Sequence, residues 1–271
     1  MNIIKITDIN DSRLDKYYRD SEKSLHCAFN LDNGYFIAES ELVINRALEK
    51  GYKPISFLIE ENSIDKYKSI IDKCDQNIDV YEVNNDIYIK FKGYILIRGI
   101  MGLFYRPKEL TLEEVCQDAK RIVVLEDVEN PINVGAIFRN CAALFVDGIL
   151  LTKECVDPLY RRSIRVSMGT VFNNKWAYVD SNEYIEILHK FGFKVVSFAL
   201  SENNISIDDI KLNNEDKLAI VLGSEGYGIG SDNIQKSDYV CKIDMNEDVD
   251  SLNVASASAI ALYNLCKGNR K

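Results

Sequence analysis

The chain is poor in histidine, and its cysteines are scattered. Only two of its 271 residues are histidines, and its seven cysteines include no C-x-x-C pair. Zinc sites and disulfide frameworks require clustered ligands, which this spacing does not provide. We therefore expect no metal ion and a reduced, cytoplasmic protein. Cys141 and Cys266 fall in apolar helical patterns and are predicted to be small buried hydrophobic residues.

The sequence also lacks any apolar stretch near the roughly 20 residues that a helix needs to span a bilayer. Its first ten residues have neither the basic region nor the apolar core of a signal peptide. These absences predict a protein that is neither exported nor embedded in a membrane. The chain length suits one large domain or two smaller ones.

Positive charge is in deficit, because 33 Lys and Arg residues face 42 Asp and Glu residues, giving a net charge of -9. This balance argues against wide nonspecific binding to nucleic acid, which needs cations for phosphate contacts. A local patch can still bind RNA, although ordinary surface charge explains either local cluster equally well. One cluster comprises Lys153 and the candidate RNA-binding residues Arg161, Arg162 and Arg165; the other comprises Arg106, Lys108, Lys120 and Arg121.

The first hundred residues alternate between strand-like and helix-like segments, which predicts a small αβ domain. A helix is expected after Ser40, its candidate N-cap, and it ends before Gly51. The other predicted elements are strands at 35–38, 54–59, 78–83, 87–97 and 102–105, and a helix at 64–71.

A boundary follows this domain. Pro107 ends the last strand, and Thr111 with Glu114 forms a T-x-x-E capping box for a short linker helix. We therefore predict an N-terminal domain over residues 1–107, a linker over 108–120 and a second domain over 121–271.

The second domain shows the βαβ pattern of a mostly parallel sheet. Strands are predicted at 122–125, 148–151, 195–200, 218–222 and 239–243, with a helix through Arg139 and a final helix at 253–266. Ligands of open α/β sheets bind at the carboxyl ends of the strands. Because three polar segments follow predicted strands, we expect one shared site. They are N-P-I-N-V-G-A-I-F-R (130–139), V-L-G-S-E-G-Y-G-I (221–229) and S-L-N-V-A-S-A (251–257).

The first segment combines a helix start with an arginine. Asn130 is a good N-cap, and Pro131 suits the first helical position. Asn133 and Gly135 allow close approach to a ligand, and Arg139 in an apolar helix needs a phosphate or carboxylate partner. A capped helix with a solvent-facing arginine is the simpler alternative for this segment alone.

The second and third segments are rich in small residues. Gly223, Gly226 and Gly228 can wrap a small ligand with main-chain groups. Glu225 is a candidate acceptor for a ribose or an amine. The third segment opens an alanine-rich helix for which Ser251 is a candidate cap. Each segment alone fits an ordinary turn or cap, but their joint occurrence favours a ligand site.

Together the segments resemble the SpoU (TrmH) family of SPOUT-class RNA ribose 2′-O-methyltransferases, whose motifs run N-x-G-x-x-x-R, G-x-E-G-x-G and I-P-M followed by S-L-N-V. The resemblance covers about residues 121–265, and R-V-S-M-G at 165–169 is also similar. The segment F-I-A-E-S-E-L-V-I-N-R-A-L resembles the small RNA substrate-binding domain often fused upstream. The matching positions are Asn133, Gly135, Arg139, Gly223, Glu225, Gly226, Gly228, Ile243, Met245, Ser251, Leu252, Asn253 and Val254.

The resemblance implies a fold, a cofactor and a reaction. It implies an α/β domain with a trefoil knot, S-adenosylmethionine bound in that knot, and paired subunits that complete the site. The implied reaction methylates a ribose 2′-hydroxyl, and the separate N-terminal domain favours rRNA over tRNA as substrate. Arg139 is the implied catalytic arginine, supported by Asn133, Glu225, Ser251 and Asn253. The implied cofactor-binding residues are Leu222, Gly223, Gly226, Gly228, Ile243, Met245 and Leu252.

Four positions depart from the family pattern. Asp244 replaces a proline, Glu247 and Phe145 stand where glycines are usual, and Asn130 replaces an aspartate. The third loop is therefore unusually acidic, since it contains Asp244, Glu247, Asp248 and Asp250.

Two alternatives to an active methyltransferase stay open at this point. A non-catalytic RNA-binding or cofactor-binding relative is favoured by the acidic loop and disfavoured by the presence of Arg139, Ser251 and Asn253. A nucleotide-dependent oxidoreductase on a Rossmann sheet is disfavoured, because the chain lacks the glycine fingerprint and an acidic residue at the expected distance.

Overall fold

The computed structural model describes residues 1–26, 34–87, 99–200, 204–246, 248 and 251–267. An N-terminal unit comprises Met1–Lys108 and Leu159–Phe172, and a C-terminal unit comprises Glu109–Pro158 and Asn173–Lys271. The strands are β1 (Asn2–Ile6), β2 (Tyr35–Glu39), β3 (Pro54–Glu60), β4 (Asp79–Val83), β5 (Ile100–Tyr105), β6 (Arg121–Glu126), β7 (Gly148–Thr152), β8 (Lys175–Val179), β9 (Lys194–Phe198), β10 (Ile205–Ser206), β11 (Leu218–Gly223) and β12 (Tyr239–Lys242). The helices are α1 (Asp15–Tyr18), α2 (Glu22–His26), α3 (Glu41–Glu49), α4 (Ile64–Ile71), α5 (Leu112–Cys116), α6 (Pro131–Ala143), α7 (Arg161–Val166), α8 (Tyr184–Lys190), α9 (Ile210–Asn214), α10 (Ser231–Lys236) and α11 (Val254–Leu265).

The N-terminal unit contains a five-stranded mixed sheet in the order β1-β4-β3-β5-β2. Strands β1, β4 and β3 run parallel, whereas β5 runs antiparallel to both of its neighbours. Tyr17 is buried in the core, and its hydroxyl lies 2.7 Å from the Ser56 hydroxyl. This pairing satisfies two polar atoms that burial would otherwise leave without partners.

Most predicted elements of the N-terminal unit are confirmed to within two residues. Ser40 does precede α3, but its prediction as a side-chain cap is wrong. Its φ of 81° differs from the extended backbone of a capping residue, and its side chain makes no capping hydrogen bond. The predicted strand at 87–97 lies outside the described residues except for Ile87. That residue is helical rather than extended, and its N–H donates a hydrogen bond to the Asn84 side chain at 2.9 Å.

The C-terminal unit contains a seven-stranded sheet in the order β10-β12-β9-β11-β6-β7-β8, and its paired strands run parallel. All six residues of β6 are buried, as expected for a parallel strand that helices cover on both faces. The mostly parallel α/β sheet predicted from the sequence is confirmed. The short edge strands β8 and β10 were not predicted, and the implied trefoil knot stays a prediction.

Three helix starts test the predicted caps. Thr111 and Glu114 form the predicted capping box. The Asn130 side chain accepts a hydrogen bond from the Ile132 N–H at 2.9 Å, as predicted. The predicted cap of the last helix is wrong, because α11 begins at Val254 and the cap is therefore Asn253 rather than Ser251.

Arg121 is a structural residue rather than part of a basic surface cluster. Its buried guanidinium donates hydrogen bonds to the carbonyl oxygens of Leu265, Asp216 and Glu215 at 2.9, 3.0 and 3.1 Å. These bonds fasten the end of α11 and the segment before β11 to the start of β6. The expectation that Arg121 contributes to a surface patch is therefore wrong, because the interior carbonyls bind it.

The described cysteines are all free, and Cys141 and Cys266 are buried as predicted. Within the described ranges, no group of three or more His, Cys, Asp and Glu side chains could hold a metal ion. Nor is any helix in this part of the chain both long and apolar enough to cross a membrane.

Candidate functional site

A pocket of about 410 Å³ lies in the C-terminal unit, beside the carboxyl ends of β9, β11 and β12. Its volume falls within the range of small-molecule sites, and its position matches the ligand-binding edge of α/β sheets. Its lining includes Glu225, Ser251 and all seven residues predicted to bind the cofactor: Leu222, Gly223, Gly226, Gly228, Ile243, Met245 and Leu252.

Asn253 joins the three sequence segments through hydrogen bonds. Its side-chain nitrogen donates to the side-chain oxygen of Asn133 at 3.1 Å and to the Glu225 carboxylate at 2.5 Å. Its side-chain oxygen accepts from the Ala255 N–H at 3.0 Å, which caps α11. One residue of each segment therefore meets in a single polar network at the edge of the pocket.

The side-chain N–H groups of Asn133 form no hydrogen bond with the described residues. The residue is 4% exposed, and its buried side-chain nitrogen has no hydrogen-bond partner among the described residues. Since most buried polar groups are paired, this nitrogen is an exception within the network.

The glycine-rich loop closes on itself. Ser224 and Gly228 exchange two backbone hydrogen bonds at 3.2 and 3.0 Å. A Cβ atom at Gly223 would lie 2.3 Å from the Gly228 carbonyl carbon, and Gly228 has a φ of 69°. The tight turn therefore requires glycine at position 223 and favours it at position 228, and it places Glu225 within hydrogen-bond distance of Asn253.

Glu126, at the end of β6, binds the backbone just after this loop. The sequence motifs do not include this residue. The residue is 4% exposed, and its carboxylate accepts hydrogen bonds from the Gly230 N–H at 2.6 Å, Tyr184 at 2.6 Å and Asn233 at 2.9 Å. Burial, and then the bond to Glu126, raise the pKa of Tyr184 well above its usual value, so the phenol keeps its proton. In the sequence, the only indication of this role is that Glu126 is a charged residue at the end of the apolar strand R-I-V-V-L-E.

Arg139 lies apart from the network. Its side chain is exposed, it does not line the pocket, and it forms no hydrogen bond or ion pair with a described residue. It shares one face of α6 with Ile132, Ala136 and Ala143, at helical spacings of three and four residues. Asn140, on another face, donates to α11 at the Ala255 carbonyl and the Ser258 hydroxyl. Arg139 therefore belongs to an outward-facing surface of this helix pair.

The predicted RNA-binding arginines lie on α7 in the N-terminal unit. Arg161 is partly buried, with its Nε 3.6 Å from the Glu39 carboxylate and 3.9 Å from that of Glu22. Burial raises the pKa of Glu39, and the charges of Arg161 and Arg165 oppose that rise. Of the three arginines, Arg162 is the exposed one.

The third loop is described only in part. The exposed Asp244 carboxylate lies 3.8 Å from the Lys242 ammonium, whereas Glu247 and Asp250 lie outside the described residues. Cys241 borders the pocket, and burial followed by the charge of Asp244 raises its pKa to about 12. At neutral pH this cysteine is therefore a thiol and a poor nucleophile.

A parallel sheet whose carboxyl-end loops enclose a ligand-sized pocket defines an α/β ligand-binding domain. The profile of the SpoU rRNA Methylase family matches residues 120–263. An uncharacterized tRNA/rRNA methyltransferase of Mycobacterium bovis is 31% identical over 267 residues, which cover 97% of this chain and 91% of the relative. The chain therefore belongs to the SpoU rRNA Methylase family of RNA methyltransferases, as the three motifs predicted.

Two further comparisons extend this relationship. The 23S rRNA (guanosine(2553)-2′-O)-methyltransferase of Bacillus subtilis is 23% identical over 230 residues, which cover 85% of this chain and 88% of the relative. The AdoMet-bound rRNA methyltransferase from Sinorhizobium meliloti shares the fold with a TM-score of 0.83, at 21% identity and 97% coverage of both chains.

Proposed function

We propose that this protein transfers the methyl group of S-adenosylmethionine to a ribose 2′-hydroxyl of RNA, with rRNA as the favoured substrate. The observation that carries the proposal is the Asn133–Asn253–Glu225 network beside the pocket. The 2′-O-specificity and rRNA substrate of the Bacillus subtilis relative support the finer assignment.

The pocket fits the cofactor chemically. Leu222, Ile243 and Leu252 provide apolar contacts for an adenosyl group, while the loop at 223–228 provides main-chain donors and acceptors. At Gly223 the backbone of Gly228 and Ile229 leaves no room for a side chain, so only glycine lets the loop fold into this turn beside the pocket. When bound, S-adenosylmethionine supplies an electrophilic methyl group on a sulfonium, and the bound cofactor of the Sinorhizobium meliloti structure supports this assignment.

The protein's own residues orient the ribose and stabilise charge. The Glu225 carboxylate lines the pocket and can bind a polar ligand group, while Asn133 and Asn253 hold it in place through their hydrogen bonds. The guanidinium of Arg139 carries hydrogen-bond donors and no acceptor, so it does not take up the hydroxyl proton. We assign it to the substrate phosphate and to the negative charge that develops on the ribose oxygen.

A homodimer gives Arg139 access to a pocket. The exposed face of α6 holds Ile132 and Arg139, and the adjoining α11 exposes Ile260 and Tyr263. Exposed apolar side chains on two packed helices are typical of a subunit interface. In this arrangement Arg139 lies at the interface and serves the pocket of the partner.

The test compares wild-type protein with R139A and R139K. Each is incubated with methyl-labelled S-adenosylmethionine and unmodified rRNA or tRNA, and cofactor binding is measured separately by calorimetry. We expect label in rRNA with the wild type, a loss of about a hundredfold or more in R139A, and unchanged cofactor affinity. R139K is also expected to be impaired, because a point charge does not replace the bidentate fork.

Two outcomes would contradict this assignment. Full activity in R139A would remove the arginine from the reaction. If the wild type binds the cofactor but transfers no methyl group to either RNA, the protein would instead be a non-catalytic member of the family.

A further inference from the structure

A second pocket, of about 420 Å³, lies wholly within the N-terminal unit. The turn after α3, the start of β3 and the end of β5 form it. Among the described residues, its lining contains cations and aromatic rings but no acidic side chain. The cations are Lys50, Lys53 and Arg106, and the rings are those of Tyr52, Tyr105 and Phe172.

Backbone contacts fix the shape of this pocket. The Tyr105 N–H donates to the Lys53 carbonyl at 3.0 Å, and the Arg106 N–H donates to the Gly34 carbonyl at 2.8 Å. A Cβ atom at Gly34 would lie 2.6 Å from Cδ of Arg106. Glycine at position 34 therefore allows the arginine stem to lie across the end of the sheet.

The aromatic rings provide a rigid floor and one accessible ring. Tyr52 and Phe172 pack with their ring centroids 4.8 Å apart. Burial raises the pKa of Tyr52 to about 12, against the field of Arg106, so its ring stays neutral. Tyr105 is 47% exposed at the pocket, which leaves part of its ring open to a ligand.

The cations are not part of a general positive surface, because the chain carries a net charge of -9. Lys50 and Lys53 are exposed, and neither forms an ion pair with a described carboxylate. A pocket lining of two lysines, an arginine and aromatic rings matches an anion attached to a flat apolar group. A nucleotide has this combination, since its phosphate attracts cations and its base stacks on aromatic rings.

We infer that this pocket binds one unstacked nucleotide of a single-stranded RNA segment, with the base against Tyr105 and phosphates near Lys50 and Lys53. The inference rests on the proposed RNA substrate and adds a second contact point on it. A duplex does not fit this role, because its bases are stacked and expose no ring faces.

The test measures binding of the full-length protein to a fluorescent single-stranded oligoribonucleotide of about ten nucleotides, and to a duplex of the same composition. We expect Y105A to weaken single-strand binding about tenfold and Y105F to keep it, since the ring alone stacks. K53E should weaken binding and make it less sensitive to salt, since fewer counterions are released. The exposed Tyr18 and Lys68 of the same unit provide the matched controls Y18A and K68E.

Methyl transfer separates this inference from the proposed function. If both hold, Y105A and K53E raise the KM for RNA while kcat and cofactor affinity stay unchanged. If wild-type protein binds the oligonucleotide with the expected variant pattern but methylates no RNA, the proposed function fails and the nucleotide pocket stands. Single-strand affinities of folded Y105A and K53E equal to wild type, or equal losses on duplex, would overturn the inference. K53E changes an exposed side chain and keeps this test valid should Y105A fail to fold.

Discussion

At the scale of single residues, Glu126 is the least expected part of the site. A buried carboxylate that accepts three hydrogen bonds links the end of β6 to the loop that follows the glycine-rich turn. Neither Gly230 nor Asn233 belongs to a segment that suggested function. Asn133, Glu225 and Asn253 were predictable because their motifs are specific, whereas a lone glutamate after an apolar run indicates only the end of a strand.

The first prediction concerns this anchor. E126A is expected to lower the free energy of unfolding by about 3 kcal/mol, because it leaves buried donors unpaired. Y184F removes one donor together with its need for a partner and should cost about 1 kcal/mol. Urea unfolding of the three proteins measures both values. A change of under about 0.5 kcal/mol in E126A, the usual size of a surface substitution, would show that the anchor contributes nothing.

The second prediction concerns Phe145, which stands where a glycine was expected and has a φ of 62°. This left-handed backbone costs a residue with a Cβ atom about 1–2 kcal/mol. F145A keeps the Cβ atom and F145G removes it, while both lose the ring. We therefore expect F145G to be more stable than F145A by about 1 kcal/mol in thermal unfolding. Equal stabilities would mean that the turn holds no strain.

At the scale of elements, apolar runs predicted the buried strands, because those runs are long and bounded by turn residues. The edge strand β8 was missed because K-W-A-Y-V is short and begins with a charged residue. The order of the sheet was beyond prediction. β11 inserts between β9 and β6, and no local pattern specifies which strands become neighbours. The cap of α11 was placed two residues too early, at Ser251, because Ser251 and Asn253 are both good capping residues and both precede the alanine-rich run.

Asp238 ties three elements together. Its carboxylate accepts hydrogen bonds from the Lys194 ammonium at 2.7 Å, the Val195 N–H at 2.9 Å and the His189 ring at 2.9 Å. Burial acts to raise the pKa of Asp238, but these bonds, led by that of Lys194, outweigh it and hold the pKa below the ordinary 3.8. A lowered native pKa means that the stabilisation is complete above pH 3.8 and is lost as the pH falls through the native pKa.

The lowered pKa of Asp238 predicts how the stability of the variant D238N depends on pH. D238N should be less stable than wild type by about 1–2 kcal/mol near neutral pH, allowing for partial solvent screening. The difference should shrink as the pH falls below the ordinary aspartate value, because the wild-type carboxyl then becomes neutral as well. Urea unfolding across a pH series measures it, with D118N at an exposed site as the control. A difference that stays constant or grows in acid would contradict the assignment.

At the scale of the whole molecule, we propose that two chains complete the site. Arg139 lies away from the pocket of its own chain, on the face that α6 and α11 expose. The sequence motifs identify Arg139 as a family residue, but they do not show whether it acts at the pocket of its own chain or at that of a partner.

The fourth prediction tests this surface. Wild-type protein is expected to sediment as a dimer, and I260E to sediment as a folded monomer that binds S-adenosylmethionine but transfers no methyl group. Burying a charge in an apolar contact is costly, which is the reason for the dissociation. Ile210, also exposed in the C-terminal unit, provides the matched control I210E. A wild-type monomer at micromolar concentration, or a fully active I260E monomer, would refute the shared site.

The most direct test of the whole account is the chemical identity of the product. RNA methylated by the wild-type protein is digested to nucleosides, and the labelled species is identified by mass spectrometry. We expect a 2′-O-methylnucleoside, with the methyl group on the ribose and not on the base, and no such product from R139A. A base-methylated nucleoside, made equally well by R139A, would contradict the proposed ribose chemistry.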